Sequence, residues 1–293
     1  MQLMQPSEYV SEFILTRVHQ KSFVLVEGTT DRALWTEYAA DDCHLRPAQG
    51  KDIILDVLKT PFLLGIPGIA GIVDLDYWLI TDADELATEN LLYDDCCPDM
   101  ELILLSSPAL KKVLRNELYS FEIEKIHELA DKLTCEALRL ATEYGYFRLL
   151  NHLNDYGIRF RDFDLSEVID PNTLQLNRQK TAKRLTQQKA CISSEDLLRQ
   201  VDDLREMYPP DNIQLCRGKD VISIMAIILP IIFHAHFGEE MPRDARSAFR
   251  EKALSIRLRS AYDSAYFNGT SLFDSIRSWE SANNPYKILK PDI

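Results

Sequence analysis

Two short apolar runs in this chain end on carboxylates. Ser22–Val26 (SFVLV) leads into Glu27-Gly28-Thr29-Thr30-Asp31, and residues 69–73 (IAGIV) lead into Asp74-Leu75-Asp76. Runs of this length bounded by turn residues read as buried strands. Carboxylates at the C-terminal ends of such strands lie at the edge of an open α/β sheet, where ligands bind. Glu27, Asp74 and Asp76 are therefore expected to converge. Clustered carboxylates repel one another unless a cation sits between them, and hard oxygen donors in that number suit Mg²⁺ or Mn²⁺. A divalent ion held there can activate water and stabilise a phosphoryl transition state.

Other residues carry weaker chemical signals. Asp31 falls in the first turn of the next helix, where a carboxylate is favoured with or without a ligand. Asp82, Asp84 and Glu85 read as a solvated acidic loop. Asp99 and Glu101 fit either a helix cap or an outer metal shell. Lys219 opens a helix, an unfavourable place for a cation, which points to a function. Gly50-Lys51 lacks the rest of a Walker A loop. His234 and His236 end an apolar helix and suit its C-terminal dipole. Residues 171–194 contain no Asp or Glu but hold Arg178, Lys180, Lys183, Arg184 and Lys189, the best candidate surface for nucleic acid. Arg243, Arg246, Arg250, Arg257 and Arg259 form a second basic set, equally suited to docking an acidic partner.

The elements that position these residues alternate in type. A short helix over 7–19 precedes the first strand, 22–26. A helix over 30–40, a strand over 43–48, a helix from Gly50-Lys51 to Lys59 and a GIPG loop at 65–68 then lead into the strand before Asp74. This alternation with short links argues for a parallel α/β sheet. Residues 91–93 read as a further strand, and 107–150 as helical, with Leu129, Leu133 and Leu140 among its apolar positions. Residues 159–165 (RFRDFDL) read as a strand or an extended loop. Ser193 or Ser194 caps a helix, Pro209-Pro210 breaks the chain, and 213–216 (IQLC) reads as a return strand. Val221 to Phe237 reads as a buried helix rather than a membrane span, which needs about 20 apolar residues, and 243–282 as helical.

Composition bounds the rest. A 293-residue chain that is 46% hydrophobic can bury a sizeable core. Six cysteines without CxxC spacing argue against a zinc module and fit a reduced, cytoplasmic protein. No secretory signal is read at the N-terminus, and no membrane contact is expected. The net charge of −13 lies entirely in residues 1–110, which hold 19 acidic and 6 basic residues. Such a chain is a poor general nucleic-acid binder, because phosphate contacts need Lys and Arg.

The order EGTTD (27–31), Gly50-Lys51, GIVDLD (71–76), DME (99–101) and RGKD (217–220) resembles a Toprim domain, and within it the AriB-like effectors of PARIS-type anti-phage systems. The HAD alternative for DxD fails because position 78 is Trp and the strand is not the first, and a glycosyltransferase DxD leaves EGTTD unexplained. The resemblance implies a Toprim-like parallel sheet core (20–106 plus 211–237), a helical insertion (107–210) and a helical C-terminal region (238–293). It implies Glu27 as metal ligand or general acid/base, Asp31, Asp74 and Asp76 as metal ligands, Asp99 and Glu101 as a further shell, and Lys219 as the cation steadying the phosphate. The implied activity is Mg²⁺- or Mn²⁺-dependent cleavage of host tRNA after release from an ABC-type ATPase partner (AriA-like), triggered by a phage anti-restriction protein, with homodimerisation possible. A docking subunit without catalysis and a stand-alone DNA nuclease of OLD type are the alternatives.

Overall fold

The computed structural model describes all residues except 1–3, 61–62, 64, 82–83, 162, 188–190 and 209–211. Asp82, Lys189 and Pro209-Pro210 thus lie outside the described residues. In chain order the first elements are α1 (Pro6–Arg17), β1 (Ser22–Val26), α2 (Thr29–Tyr38), β2 (Cys43–Pro47), α3 (Lys51–Leu58), β3 (Ile69–Ile72), α4 (Trp78–Thr81), β4 (Leu91–Leu92) and α5 (Met100–Ser106). A mostly helical stretch follows: α6 (Ala109–Glu117), α7 (Ile123–Asn154), the short pair β5 (Ile169–Asp170) and β6 (Gln175–Leu176), α8 (Arg178–Thr186), α9 (Ser194–Met207), α10 (Gly218–Phe237), α11 (Arg243–Ala248) and α12 (Glu251–Ala261). The chain closes with α13 (Ser264–Phe267) and α14 (Ser271–Ala282).

Contacts divide the chain into two units, residues 1–103 with 263–293, and residues 104–262. The first unit is mixed α/β around a parallel four-stranded sheet of order β2-β1-β3-β4. β1 is buried along its whole length, as expected for a parallel strand covered on both faces. α3 lies tightly on β3 at Gly71, where an added Cβ would come within 2.3 Å of Ile54 Cγ2. α2 packs against α13, with the Trp35 and Phe267 rings edge to face at 5.3 Å.

The C-terminal segment belongs to this unit rather than forming a separate tail. Leu289 bridges Ala39 in antiparallel fashion. The backbone N–H groups of Ile288 and Leu289 donate to Glu280 Oε1 at 2.7 and 2.8 Å. Trp279 Nε1 donates to Asn90 Oδ1 at 2.9 Å.

The second unit is built on α7 and α10. The two helices share one core, with Leu133, Leu140 and Tyr146 from α7 and Val221, Met225 and Ile228 from α10 all buried. Arg148 of α7 and the buried Asp220 of α10 form a two-pronged ion pair, Nε to Oδ2 at 2.5 Å and Nη2 to Oδ1 at 2.7 Å. Among the described residues α10 is the one helix long and apolar enough to cross a membrane, yet half of its apolar stretch is buried within the chain.

Two expectations need correction. Residues 213–215 form a 3₁₀ turn instead of a strand, with the Leu215 carbonyl seated against Gly145 so closely that an added Cβ would lie 2.0 Å from its oxygen. This segment packs on a helix and has no strand beside it to supply a ladder. The described part of 159–164 takes the loop form, the second of the two forms expected for this stretch. The expected completion of the sheet core by 211–237 differs from the observed division, because α10 buries its apolar face against α7, while 263–293 belongs to the unit that holds the sheet.

Candidate functional site

The strand order reverses direction at β1 and β3. From β1 the chain moves outward to β2, and from β3 it moves the other way to β4. A crevice at such a switch point, beyond the carboxyl ends of the strands, is where open α/β sheets bind ligands. The parallel register pairs Val26 with Ile72, so the next residues of each strand, Glu27 and Val73-Asp74, reach that crevice together. Glu27 Oε1 accepts a hydrogen bond from the Asp74 backbone N–H at 2.9 Å.

Around this contact Glu27, Asp31, Asp74 and Asp99 line one cavity of about 20 Å³, closed by Trp35, Pro98 and Leu272 among others. That volume holds about one water-sized guest. Asp31 is anchored by the Gly28 backbone N–H, which donates to its Oδ2 at 2.8 Å. Asp74 Oδ1 accepts from the Met100 N–H at the start of α5, at 3.2 Å, and Asp99 caps the same helix by accepting from the Leu102 N–H at 2.9 Å. Negative charge at a helix N-terminus is favourable, so α5 offsets part of the crowding.

It does not offset all of it. Burial, and secondarily the charge of Asp76, push the Glu27 carboxyl up to about 7. Burial, then the charges of Asp99, Glu27, Asp31 and Asp76, hold the Asp74 carboxyl well above the usual carboxylate range. Desolvation and like charge both favour protonated acids. A set of all-oxygen donors in this condition fits a hard divalent cation, which would take the place of the shared protons.

Asp76 stands differently. It adopts a left-handed backbone, φ +49°, and its carboxylate pairs with the Lys51 ammonium. Lys51 in turn lies 4.5 Å from the Trp78 ring centroid. It sits at the first position of α3, behind Gly50 at φ +128°. The reading of Gly50-Lys51 as an incomplete Walker A loop therefore missed its place: it delivers a cation to the acidic edge. The available signal was a Gly-Lys pair opening a helix two residues beyond the end of a strand.

Asp94 was also missed. Its Oδ1 accepts from the N–H groups of Cys96 and Cys97 at 3.0 and 2.8 Å, and its Oδ2 from the Leu272 N–H at 3.1 Å. Asp94, Asp95 and Cys96 bring ligand-type atoms together, but Asp94 is already engaged by these donors. Glu101 is buried in α5 and does not line the cavity. Asp84 and Glu85 lie in a 3₁₀ turn, with Glu85 near Lys59 at 3.9 Å.

Lys219 belongs to the second unit, where it lines a different cavity. The basic set of α8 is divided: Arg178 pairs with Asp202 and Arg184 with Glu167, whereas Lys180 and Lys183 are exposed. Arg246 and Arg257 are likewise paired, with Glu240 and Glu117. His236 Nε2 is 3.0 Å from the Lys125 carbonyl oxygen.

The fold and site together define a mixed α/β protein with a carboxylate pocket at the switch point of a parallel sheet. Comparison with protein-family models, with curated proteins and with solved structures found no match.

Proposed function

We propose that this chain is a divalent-metal-dependent phosphodiester hydrolase built on a Toprim-like sheet. The observation that carries the reading is the convergence of Glu27, Asp31, Asp74 and Asp99 on one ion-sized cavity, with Glu27 and Asp74 both held short of ready ionisation. Asp31 and Asp74 would hold Mg²⁺ or Mn²⁺, with Asp99 behind them and Glu27 beside the ion. The bound ion supplies Lewis acidity at the phosphate and charge neutralisation.

The residues do the remaining work. Glu27 Oε1 is committed to the Asp74 N–H, which leaves Oε2 to take a proton from the attacking water. An acid poised near neutrality suits that task. Lys51, released from Asp76, meets the negative charge of the phosphate and takes the part first assigned to Lys219. Among phosphodiesters, the motif order favours host tRNA as substrate, with an ABC-type ATPase holding the chain inactive as part of anti-phage defence.

The test is cleavage of bulk tRNA and of plasmid DNA by wild type and Glu27→Ala, each with Mg²⁺, Mn²⁺ or EDTA. Metal-dependent tRNA cutting that is absent in the variant supports the reading. Cutting of DNA alone moves the protein to the OLD-type nucleases. No cutting in the presence or absence of the ATPase partner identifies a docking subunit and ends the hydrolase proposal.

A further inference from the structure

The second unit contains a cavity of about 980 Å³, large enough for a nucleotide-sized ligand. Its lining brings together Arg148, Arg161, Arg217, Lys219 and Arg250 from four separate segments. Among the described residues, three carboxylates face the same space: Asp164, Asp220 and Glu251. Asp220 is taken up by Arg148. Asp164 accepts from both the N–H and the hydroxyl of Ser166, at 2.9 and 2.6 Å. Arg161, Arg217, Lys219 and Arg250 are all exposed, and no ion pair joins any of them to another described residue.

The placement of two of these cations works against the fold. Arg217 is the N-cap of α10 and Lys219 lies in its first turn, where the helix dipole already presents positive charge. Like charges gathered at one point are a cost that an anion removes. One wall of the cavity is aromatic. Tyr144 stands edge to face with Phe160 at 5.6 Å and tilted against Phe163 at 5.5 Å. The Arg148 guanidinium lies 4.5 Å from the Phe160 ring centroid, which fixes that ring over the ion pair beneath it.

We propose that this cavity binds a nucleoside polyphosphate, with its phosphates on Arg161, Arg217, Lys219 and Arg250 and its base against the Phe160–Phe163 wall. Four exposed cations exceed what a single phosphate needs, and the aromatic wall has no use for a bare anion. The proposal is independent of the hydrolase reading, since every residue it names lies outside the carboxylate pocket and binding needs no metal.

The test is equilibrium binding of a fluorescent adenosine triphosphate analogue to the whole chain in EDTA, at two salt concentrations. Unlabelled adenosine triphosphate, tripolyphosphate, adenosine and a short single-stranded RNA serve as competitors. Adenosine triphosphate is expected to compete at least tenfold better than tripolyphosphate or adenosine, about 1.4 kcal/mol. Arg217→Glu and Arg250→Glu are each expected to weaken binding about tenfold or more with no change in melting temperature, as both side chains are exposed; Arg161→Ala provides a third, milder variant. Phe163→Ala is expected to weaken the nucleotide and spare tripolyphosphate. Glu27→Ala is expected to bind as wild type does. Equal competition by tripolyphosphate, stronger competition by the RNA, no binding by wild type, or indifference to all three arginine variants would each overturn the proposal.

Discussion

The two units handle charge in opposite ways. The first holds 23 acidic and 9 basic residues, and the second 23 acidic and 24 basic. In the first, like charges are pressed into a cavity of about 20 Å³ and respond by holding protons. In the second, the partly buried cation Arg148 has its own carboxylate, and the surplus cations are exposed around a cavity of about 980 Å³. A small, crowded space makes the charges change state, whereas a wide one lined by exposed side chains leaves them charged and available.

The comparison is broken most severely at Glu27. Glu27→Gln is expected to lower cleavage by 10²-fold or more, the usual worth of a positioned proton acceptor, with the fold intact by circular dichroism. Cleavage kinetics on the substrate found for wild type check this.

The next effect is on stability. Arg148→Ala leaves Asp220 buried and alone, and is expected to cost about 3–5 kcal/mol in a denaturant melt. Arg148→Met with Asp220→Leu is expected to recover most of the loss. In the acidic pocket the sign reverses: Asp74→Asn in metal-free protein is expected to be neutral or stabilising, since it removes a repelled carboxyl.

The pH response sharpens the contrast. The Glu27 carboxyl is raised from its ordinary 4.5 to about 7, so the folded chain keeps a proton that the unfolded chain has lost. Stability from this group is complete below pH 4.5 and is lost as pH rises through 7. Asp74 acts in the same direction, while Asp95 and Asp164, whose carboxyls are lowered, act only in more acid solution. Metal-free protein is expected to melt several degrees higher at pH 5 than at pH 8, with Mg²⁺ narrowing the gap and Glu27→Gln removing the Glu27 share while leaving that of Asp74. Calorimetry at the two pH values checks this.

A packing change comes next. Gly145→Ala forces a methyl onto the Leu215 carbonyl and is expected to cost about 1–3 kcal/mol. The smallest effect belongs to Lys180→Ala with Lys183→Ala. Both side chains are exposed, and stability is expected to stay within about 0.5 kcal/mol of wild type, as thermal melts will show.

Local patterns were legible where the structure depends on local order. β1 and β3 follow from their apolar runs, and the Glu27–Asp74 meeting follows from strand ends in parallel register. Asp99 was legible as a cap for the same reason. What escaped depends on residues far apart in sequence. Nothing near Asp94 announces that Leu272 will donate to it, and nothing near Lys51 announces Asp76. IQLC alternates like a strand, but its neighbour turned out to be a glycine on α7. The division of the chain was misplaced because an apolar helix such as α10 fits any core equally well by composition.

The Leu272–Asp94 hydrogen bond has a consequence for how the molecule is made. Residues on both sides of the acidic pocket are separated by the whole of 104–262. On the ribosome, the second unit emerges complete and can fold while the first is still missing its last wall. The carboxylate pocket is therefore completed only after the second unit has been synthesised, so a chain that stops within 104–262 carries its charges without the means to use them.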